Sequence, residues 1–226
     1  MTTRTTAVVG LASLALAGLV VASVAIGSVT LPVQAVVEAL AGQRATDAHL
    51  IVGDLRLPRT VAGLVAGTCL GVAGVLLQGA TRNPIASPSL LGITAGAGFA
   101  VVLGVAVLGL PPAAAVWVAF AGGAGAASLA LALASSGRDG ASPVRLALSG
   151  AIVSALLAAW TSAMLAVDQR TADEVRHWLA GSLAGRDATA VGPLVPVVVL
   201  AVLGAFWLAR PLDTLALGDQ AAVGLG

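Results

Sequence analysis

Residues Thr60–Ala80 read TVAGLVAGTCLGVAGVLLQGA, an uncharged run whose polar side chains are limited to Thr60, Thr68 and Gln78. At a rise of about 1.5 Å per residue, a helix of this length is about 30 Å long, the thickness of a hydrocarbon core. The run is apolar on every side, whereas a barrel strand alternates apolar and polar positions over about 10 residues. It predicts a membrane-spanning α-helix, in which every backbone N–H and C=O is satisfied within the segment.

Five more uncharged runs flank it: Ala7–Val29, Ser89–Leu110, Ala113–Ala134, Leu146–Val167 and Val191–Ala209. The expected fold is therefore all-α, a polytopic transmembrane helix bundle with six spans forming one domain over residues 1–226. The first run follows Met1-Thr-Thr-Arg4 and exceeds the roughly 7 to 15 apolar residues of a signal peptide. It is read as a span, with cleavage near Ala22 to Ala25 as the minor alternative.

Composition agrees with this class. Hydrophobic residues make up 58% and charged residues 9%, against about 25% charged in soluble domains, and mean hydropathy is +1.02. A soluble enzyme, a disordered tail and a disulfide scaffold are excluded. A formal charge of +1 leaves no surplus for a phosphate backbone, so nucleic acid is not an expected partner. The single cysteine, Cys69, lies inside an apolar run and reads as a small hydrophobe.

Six spans place both termini on one side. With termini inside, that side holds Arg4, Arg82, Arg138, Arg145 and Arg210, and the other holds Arg44, Arg56, Arg59, Arg170, Arg176 and Arg186. Counting alone does not decide orientation. The inner arginines lie in tight turns beside span ends, which favours cytoplasmic termini in a bacterial inner membrane. Arg56 and Arg59 then stand out as basic residues kept outside.

The small residues of the spans have a packing use. Gly63, Gly67 and Gly71 recur every four residues, Gly92 and Gly96 do likewise, and Gly122, Gly123 and Gly125 cluster. Such spacing lets helix backbones approach closely in lipid. No span contains Asp, Glu, Lys, Arg or His, the groups with which proton-coupled carriers usually work. No G-x-x-x-x-G-K-[ST] loop exists, so any ATP would be hydrolysed by another subunit. His49 and His177 are expected to be solvated loop residues, without a metal site, a catalytic set or a cofactor.

The most distinctive stretch runs from Leu55-Arg56-Leu57-Pro58-Arg59 through Gln78 to Arg82-Asn83-Pro84-Ile85-Ala86-Ser87-Pro88 and Leu90-Leu91-Gly92-Ile93-Thr94-Ala95-Gly96-Ala97. Asn-Pro and Ser-Pro end a helix and fix a turn. This string resembles the FecCD-type permeases, membrane subunits of ABC importers for iron-siderophores, heme and cobalamin. Their pattern is L-R-x-P-R, a small-residue helix ending in Q, then R-N-P-L-A-x-P-x-x-L-G-x-x-x-G-A. Here Ile85 replaces leucine, and Ser87 stands where an acidic residue is common. The stretches Arg145–Gly150, Trp178–Leu183 and Leu215–Gly226 extend the resemblance in the family's order.

The resemblance implies a permease of about ten spans per copy, working as a homodimer or pseudodimer with the substrate path between copies. It implies two partners besides the second copy and the lipid membrane: an extracytoplasmic substrate-binding protein and an ATP-binding ABC subunit. Arg56 and Arg59 match arginines that dock the binding protein, a role suited to bidentate pairing with carboxylates. Residues 211–226 match the segment that couples to the ATPase, with Leu215, Leu217, Gly218 and Asp219 at its centre and Leu212 as a further apolar contact. Ser142 and Pro143 match a position at the cytoplasmic gate. Gln78, Arg82, Asn83, Pro84, Pro88 and Gly92 form a structural turn motif.

The family pattern continues with about four more spans and a G-L-x-x-P-H segment, so this chain is expected to be an N-terminal fragment. The alternatives to an importer permease are a truncated, inactive pseudo-permease or membrane scaffold, and, less favoured, a secondary carrier.

Overall fold

Three helices of this chain end within one residue of an apolar run, at Thr81, Ser135 and Val167, whereas others stop short of their run or continue past it. The computed structural model describes residues 3–111, 114–136, 142–183 and 191–216, with only the backbone described at Leu215 and Ala216. The elements are α1 (Thr3–Ala25), α2 (Val33–Leu40), α3 (Asp47–Leu50), a π-helical turn (Ile51–Arg56), α4 (Leu57–Thr81), a 3-10 turn (Pro88–Leu91), α5 (Ile93–Ala106), α6 (Ala115–Ser135), α7 (Pro143–Val167), α8 (Gln169–Leu179) and α9 (Leu194–Ala216). No strand occurs among the described residues.

Among the described residues, five helices are long and apolar enough to cross a membrane: α1, the continuous helix Asp47–Thr81, α6, α7 and Leu194–Thr214 within α9. This corrects the expectation of six comparable spans. The third apolar run begins with the 3-10 turn and Gly92, whose φ of 74° breaks the helix. What remains, α5, has 14 residues and is about 21 Å long at 1.5 Å per residue.

Two other helices run further than their apolar cores. The second span begins at Asp47 rather than Thr60 and carries Asp54, Arg56 and Arg59 within it. Pro58 accounts for the π turn at its start. In a regular α-helix the proline ring would meet the carbonyl four residues back, and widening one turn relieves that clash. The Leu57 N–H accordingly bonds the Val52 carbonyl, five residues back. The last helix likewise continues through Pro211 to Ala216. The start of the expected coupling segment is therefore a prolongation of the span.

The chain divides into two compact units, residues 1–68 with 183–200, and residues 69–182 with 201–226. In the first, Val24 of α1, Val36 of α2 and Val52 of the π turn form a small core, with Leu31 and Ala39 against it. In the second, α5, α6 and α7 pack closely. A Cβ added at Gly96 would collide with Ala126 and the Gly122 backbone, and one at Gly122 with Ala100 and the Gly96 backbone. The two backbones touch through a reciprocal pair of small residues, as lipid-embedded helices do. Ser149 of α7 adds a buried hydrogen bond to the Ala130 carbonyl of α6, at 2.8 Å. Val101 and Val102 of α5 pack on Val175 of α8.

The glycine stripe of α4 differs from the one on α5. A Cβ at Gly63 would meet Leu183 at 3.7 Å, but one at Gly67, Gly71 or Gly74 would meet no described atom within 4 Å. The expectation that this stripe packs against a neighbour thus holds at Gly63 and not at the next two repeats.

Candidate docking and coupling sites

Arg56 and Arg59, three residues apart, occupy opposite environments. Arg56 is only 8% exposed. Its Nη1 donates to the carbonyls of Val24 at 3.0 Å and Ala25 at 2.7 Å, and its Nη2 to the carbonyl of Val29. The carbonyls of Val24 and Ala25 are orphan acceptors at the C-terminal end of α1, where the helix dipole also favours a cation, and that of Val29 lies in the segment that follows. Gly27 makes room for this arrangement, since a Cβ there would lie 2.8 Å from Arg56 Nη2. Arg59, by contrast, is exposed. The sequence treated the two as equivalent, but Arg56 is turned inward onto main-chain carbonyls and only Arg59 is presented at the surface.

Nearby, His49 corrects the expectation of a solvated side chain. It is 3% exposed, its Nε2 lies 3.2 Å from Glu38 Oε2, and its Nδ1 accepts the Ala45 N–H at 3.2 Å. With Nδ1 an acceptor, the network assigns the proton to Nε2, which donates to Glu38. His49 therefore ties α3 to α2. Thr46, the N-cap of α3, accepts the His49 N–H on its side chain. No three His, Cys, Asp or Glu side chains converge as a metal set among the described residues.

The Arg82–Gly92 turn is built from its own hydrogen bonds. Asn83 N–H donates to the Gln78 carbonyl at 3.2 Å and Arg82 N–H to the Gly79 carbonyl at 3.3 Å, the paired bonds of a Schellman helix end. Arg82 occupies the left-handed position that this motif requires, with φ 51°. Asn83 Oδ1 accepts the Ile85 N–H at 3.1 Å, closing an Asx turn before the chain reaches Pro88. Gln78 Nε2 reaches the Ala86 carbonyl at 3.5 Å. The structure brings this turn to the start of α7: Asn83, Ala86 and Leu90 share a cavity of about 30 Å³ with Pro143 and Leu146. Ser142 accepts the Arg145 N–H on its side chain as N-cap of α7, with Pro143 in the first turn. The residues matched to a gate thus occupy a helix-initiating position beside the turn motif.

On α9, Leu212 packs on α4, 3.7 Å from where a Cβ of Gly79 would stand. Leu212 and Asp213 line an apolar cavity of about 400 Å³ together with Gly71, Val75 and Phe206. Leu212 is therefore spent on an intrachain contact. The side chain of Leu215, and all of Leu217, Gly218 and Asp219, lie outside the described residues.

These features sit within a match to the FecCD transport family model over residues 14–226. The chain belongs to the FecCD transport family. It is 42% identical over 205 residues to the ferric enterobactin transport system permease protein FepD of Escherichia coli, covering 90% of this chain and 61% of that protein. It is 39% identical over 178 residues to the Fe(3+)-citrate import system permease protein YfmD of Bacillus subtilis, covering 79% and 53%. A solved structure described as an inward-facing metal-chelate type ABC transporter superposes with a TM-score of 0.77 at 26% identity, covering 95% of this chain and 66% of that one. The chain spans about three fifths of FepD and about half of YfmD. FecCD membership and its membrane-length helices make it a multi-pass membrane protein.

What sequence reading missed was the partition between the two arginines and the burial of His49. Only the glycine two residues past α1 hinted at the first, and no local pattern distinguishes a buried histidine from a solvated one in a charged loop.

Proposed function

We propose that this chain is a permease subunit of an ATP-driven importer for an iron-siderophore or related metal chelate. The match to the FecCD model across residues 14–226 carries this reading. The names of the relatives, ferric enterobactin and Fe(3+)-citrate permeases, support a chelate of iron as the substrate class. The subunit would lie in a bacterial inner membrane with cytoplasmic termini. A second permease copy would complete the path, and an ATP-binding subunit would drive it.

Transport would proceed by alternating access, each face of the bundle opening in turn. The extracytoplasmic binding protein would dock through its carboxylates on Arg59, whose exposed guanidinium is free to form the bidentate pair. The segment from Leu215 through Leu217, Gly218 and Asp219 would meet the ATPase as a helix-in-groove contact. Ser142 and Pro143 would act at the cytoplasmic gate through the position of the α7 start.

The test is copurification from a membrane coexpressing this subunit with its ATPase and binding protein. The wild type is expected to retain both, and Arg59→Glu to lose the binding protein while keeping the ATPase. Retention of neither partner by the wild type would overturn the importer reading in favour of an inactive scaffold.

A further inference from the structure

We propose that His49 is a pH-operated latch: when neutral it holds the loop between α2 and α3 on its ring, and when protonated it releases that loop while keeping α2 and α3 joined. The device would operate whatever the chain transports. The helix Asp47–Thr81 has 35 residues, about 52 Å at 1.5 Å per residue, and its apolar run begins only at Thr60. Its first turns, with His49, therefore project beyond a hydrocarbon core about 30 Å thick, and residues 41–47 are exposed.

The two ring nitrogens hold different elements. Nε2 lies 3.2 Å from Glu38 Oε2 on α2, and the other oxygen of Glu38 accepts from Gln34 Nε2 at 2.8 Å. Nδ1 accepts the Ala45 N–H of the loop at 3.2 Å. Residues 41–43 are tied to α2 by main-chain bonds to the carbonyls of Val37, Ala39 and Glu38, and Thr46 caps α3. Between these anchors, the described bonds of residues 44 and 45 are the one to Nδ1 and the Arg44–Asp54 ion pair at 3.3 Å. Both partners of that pair are exposed, and such pairs contribute little. The fastening of this stretch falls mainly on the buried imidazole.

Nδ1 accepts only while its lone pair is free. Protonation turns it into a donor facing another donor, so the Ala45 bond is lost and that N–H turns to water. At Nε2 the same event has the opposite sign, because the bond to Glu38 becomes charge-assisted and stronger. Acid therefore loosens one side of the ring and tightens the other, which general acid unfolding does not do. Histidine is the side chain whose charge ordinarily changes between about pH 5 and 8, above the carboxylate range. The other charged groups on α3, the loop and the elements packed against α3, which are α2 and the π turn, are Glu38, Arg44, Asp47, Asp54 and Arg56. Of these Glu38 is bonded to the ring, Arg44 and Asp54 pair with each other, Arg56 bonds carbonyls at the end of α1 and beyond, and Asp47 is exposed.

The experiment uses the full chain in nanodiscs. The nitrogen NMR spectrum of its histidine rings, assigned with His177→Gln, and the hydrogen exchange of its amides are followed from about pH 8 to about pH 5. At the upper end Nε2 is expected to carry the proton and Nδ1 none. On acidification Nδ1 gains one, and protection of the Ala45 amide, taken relative to the unstructured rate at each pH, falls about fivefold or more. Protection in α2 and α3 holds or rises. His49→Asn places an acceptor near the Nδ1 position and cannot titrate, so Ala45 is expected to stay protected at both ends of the range. His49→Gln places its amide near the Nε2 position instead and is expected to leave Ala45 unprotected at both.

Three wild-type results overturn the proposal whether or not the variants fold: a proton on Nδ1 at the upper end, a ring that stays neutral throughout, or a ring that titrates with no change at Ala45. Loss of protection in α2 and α3 in step with Ala45 overturns it as well, since acid then unfolds the whole segment. A wild-type pH dependence in His49→Asn would place the titrating group elsewhere, and full protection of Ala45 in His49→Gln would show that Nδ1 does not hold the loop.

Discussion

Ser23 of α1 donates a hydrogen bond to Thr60 of α4. Their hydroxyl oxygens lie 2.7 Å apart, and the direction follows from Thr60, whose only proton goes to the Arg56 carbonyl at 2.8 Å. Two helices are thus joined by one serine and one threonine, with Thr60 largely buried. Interhelical bonds of this kind in membrane proteins contribute about 0.6 kcal/mol on average and up to about 1.7. A double-mutant cycle of Ser23→Ala and Thr60→Val, followed by reversible unfolding in lipid, is expected to give a coupling energy in that range. A coupling of zero would mean that the pair is incidental to the joint.

His49 offers a contrast between deleting and replacing a buried polar partner. His49→Ala would leave the Ala45 N–H and the Glu38 carboxylate without the contacts they now make at 3.2 Å. Ala45 is exposed and the Glu38 side chain half-exposed, so water takes over both bonds, and the main cost is the lost packing of the buried His49 ring, about 2 kcal/mol or more for a large-to-small change. Glu38→Gln keeps an acceptor at the same place and is expected to cost about 1 kcal/mol or less. Exchange of the α2 and α3 amides would report the difference directly, with His49→Ala the faster of the two. Equal rates in both variants would show that the α2–α3 contact does not depend on this bridge.

The membrane class and the approximate span cores were legible because hydropathy acts over about 20 residues and needs no tertiary information. Span ends were not. A charge such as Arg59 or Arg210 bounds an apolar run, yet the helix continues through it, and through Pro58 and Pro211 as well, in Asp47–Thr81 and Leu194–Ala216. The turn from Arg82 to Gly92 was readable from Asn-Pro and Ser-Pro because those constraints are local. The environments of Arg56 and His49 depend on α1 and α2, distant in sequence, and no local pattern encodes them. The stripe at Gly67 and Gly71 reads as packing in sequence because small residues look alike whether or not a described neighbour is present.

Glycine substitutions separate the packed faces from the open one. Gly122→Ala and Gly150→Ala would drive a methyl into backbone, at Gly96 and at the Leu90 carbonyl respectively. Backbone is the least yielding of neighbours, and overpacking typically costs about 1–3 kcal/mol. Gly71→Ala meets no described atom within 4 Å and replaces a poor helix former with a good one. Thermal unfolding in detergent is expected to rank Gly71→Ala near wild type and the other two well below it. Loss of stability in Gly71→Ala would reveal a neighbour on that face of α4.

Asp168 ends α7 and caps α8, so its titration should be felt in α8. Its carboxylate accepts the Thr171 hydroxyl at 2.6 Å and the N–H groups of Arg170 and Thr171 at 3.1 and 3.3 Å. These bonds, the Thr171 side chain first, hold its carboxyl below the usual carboxylate range. For a carboxyl depressed on folding, the stabilising contribution is fully present above the unfolded value and is lost as pH falls through the folded one. The α8 amides are therefore expected to keep their protection at pH 5 and to lose part of it below about pH 4, once the unfolded-state pKa of about 3.9 is passed. Asp168→Asn retains a good N-cap but cannot titrate, so its α8 protection should be independent of pH over the same interval. A pH dependence that persists in Asp168→Asn would show that the Asp168 cap is not its source.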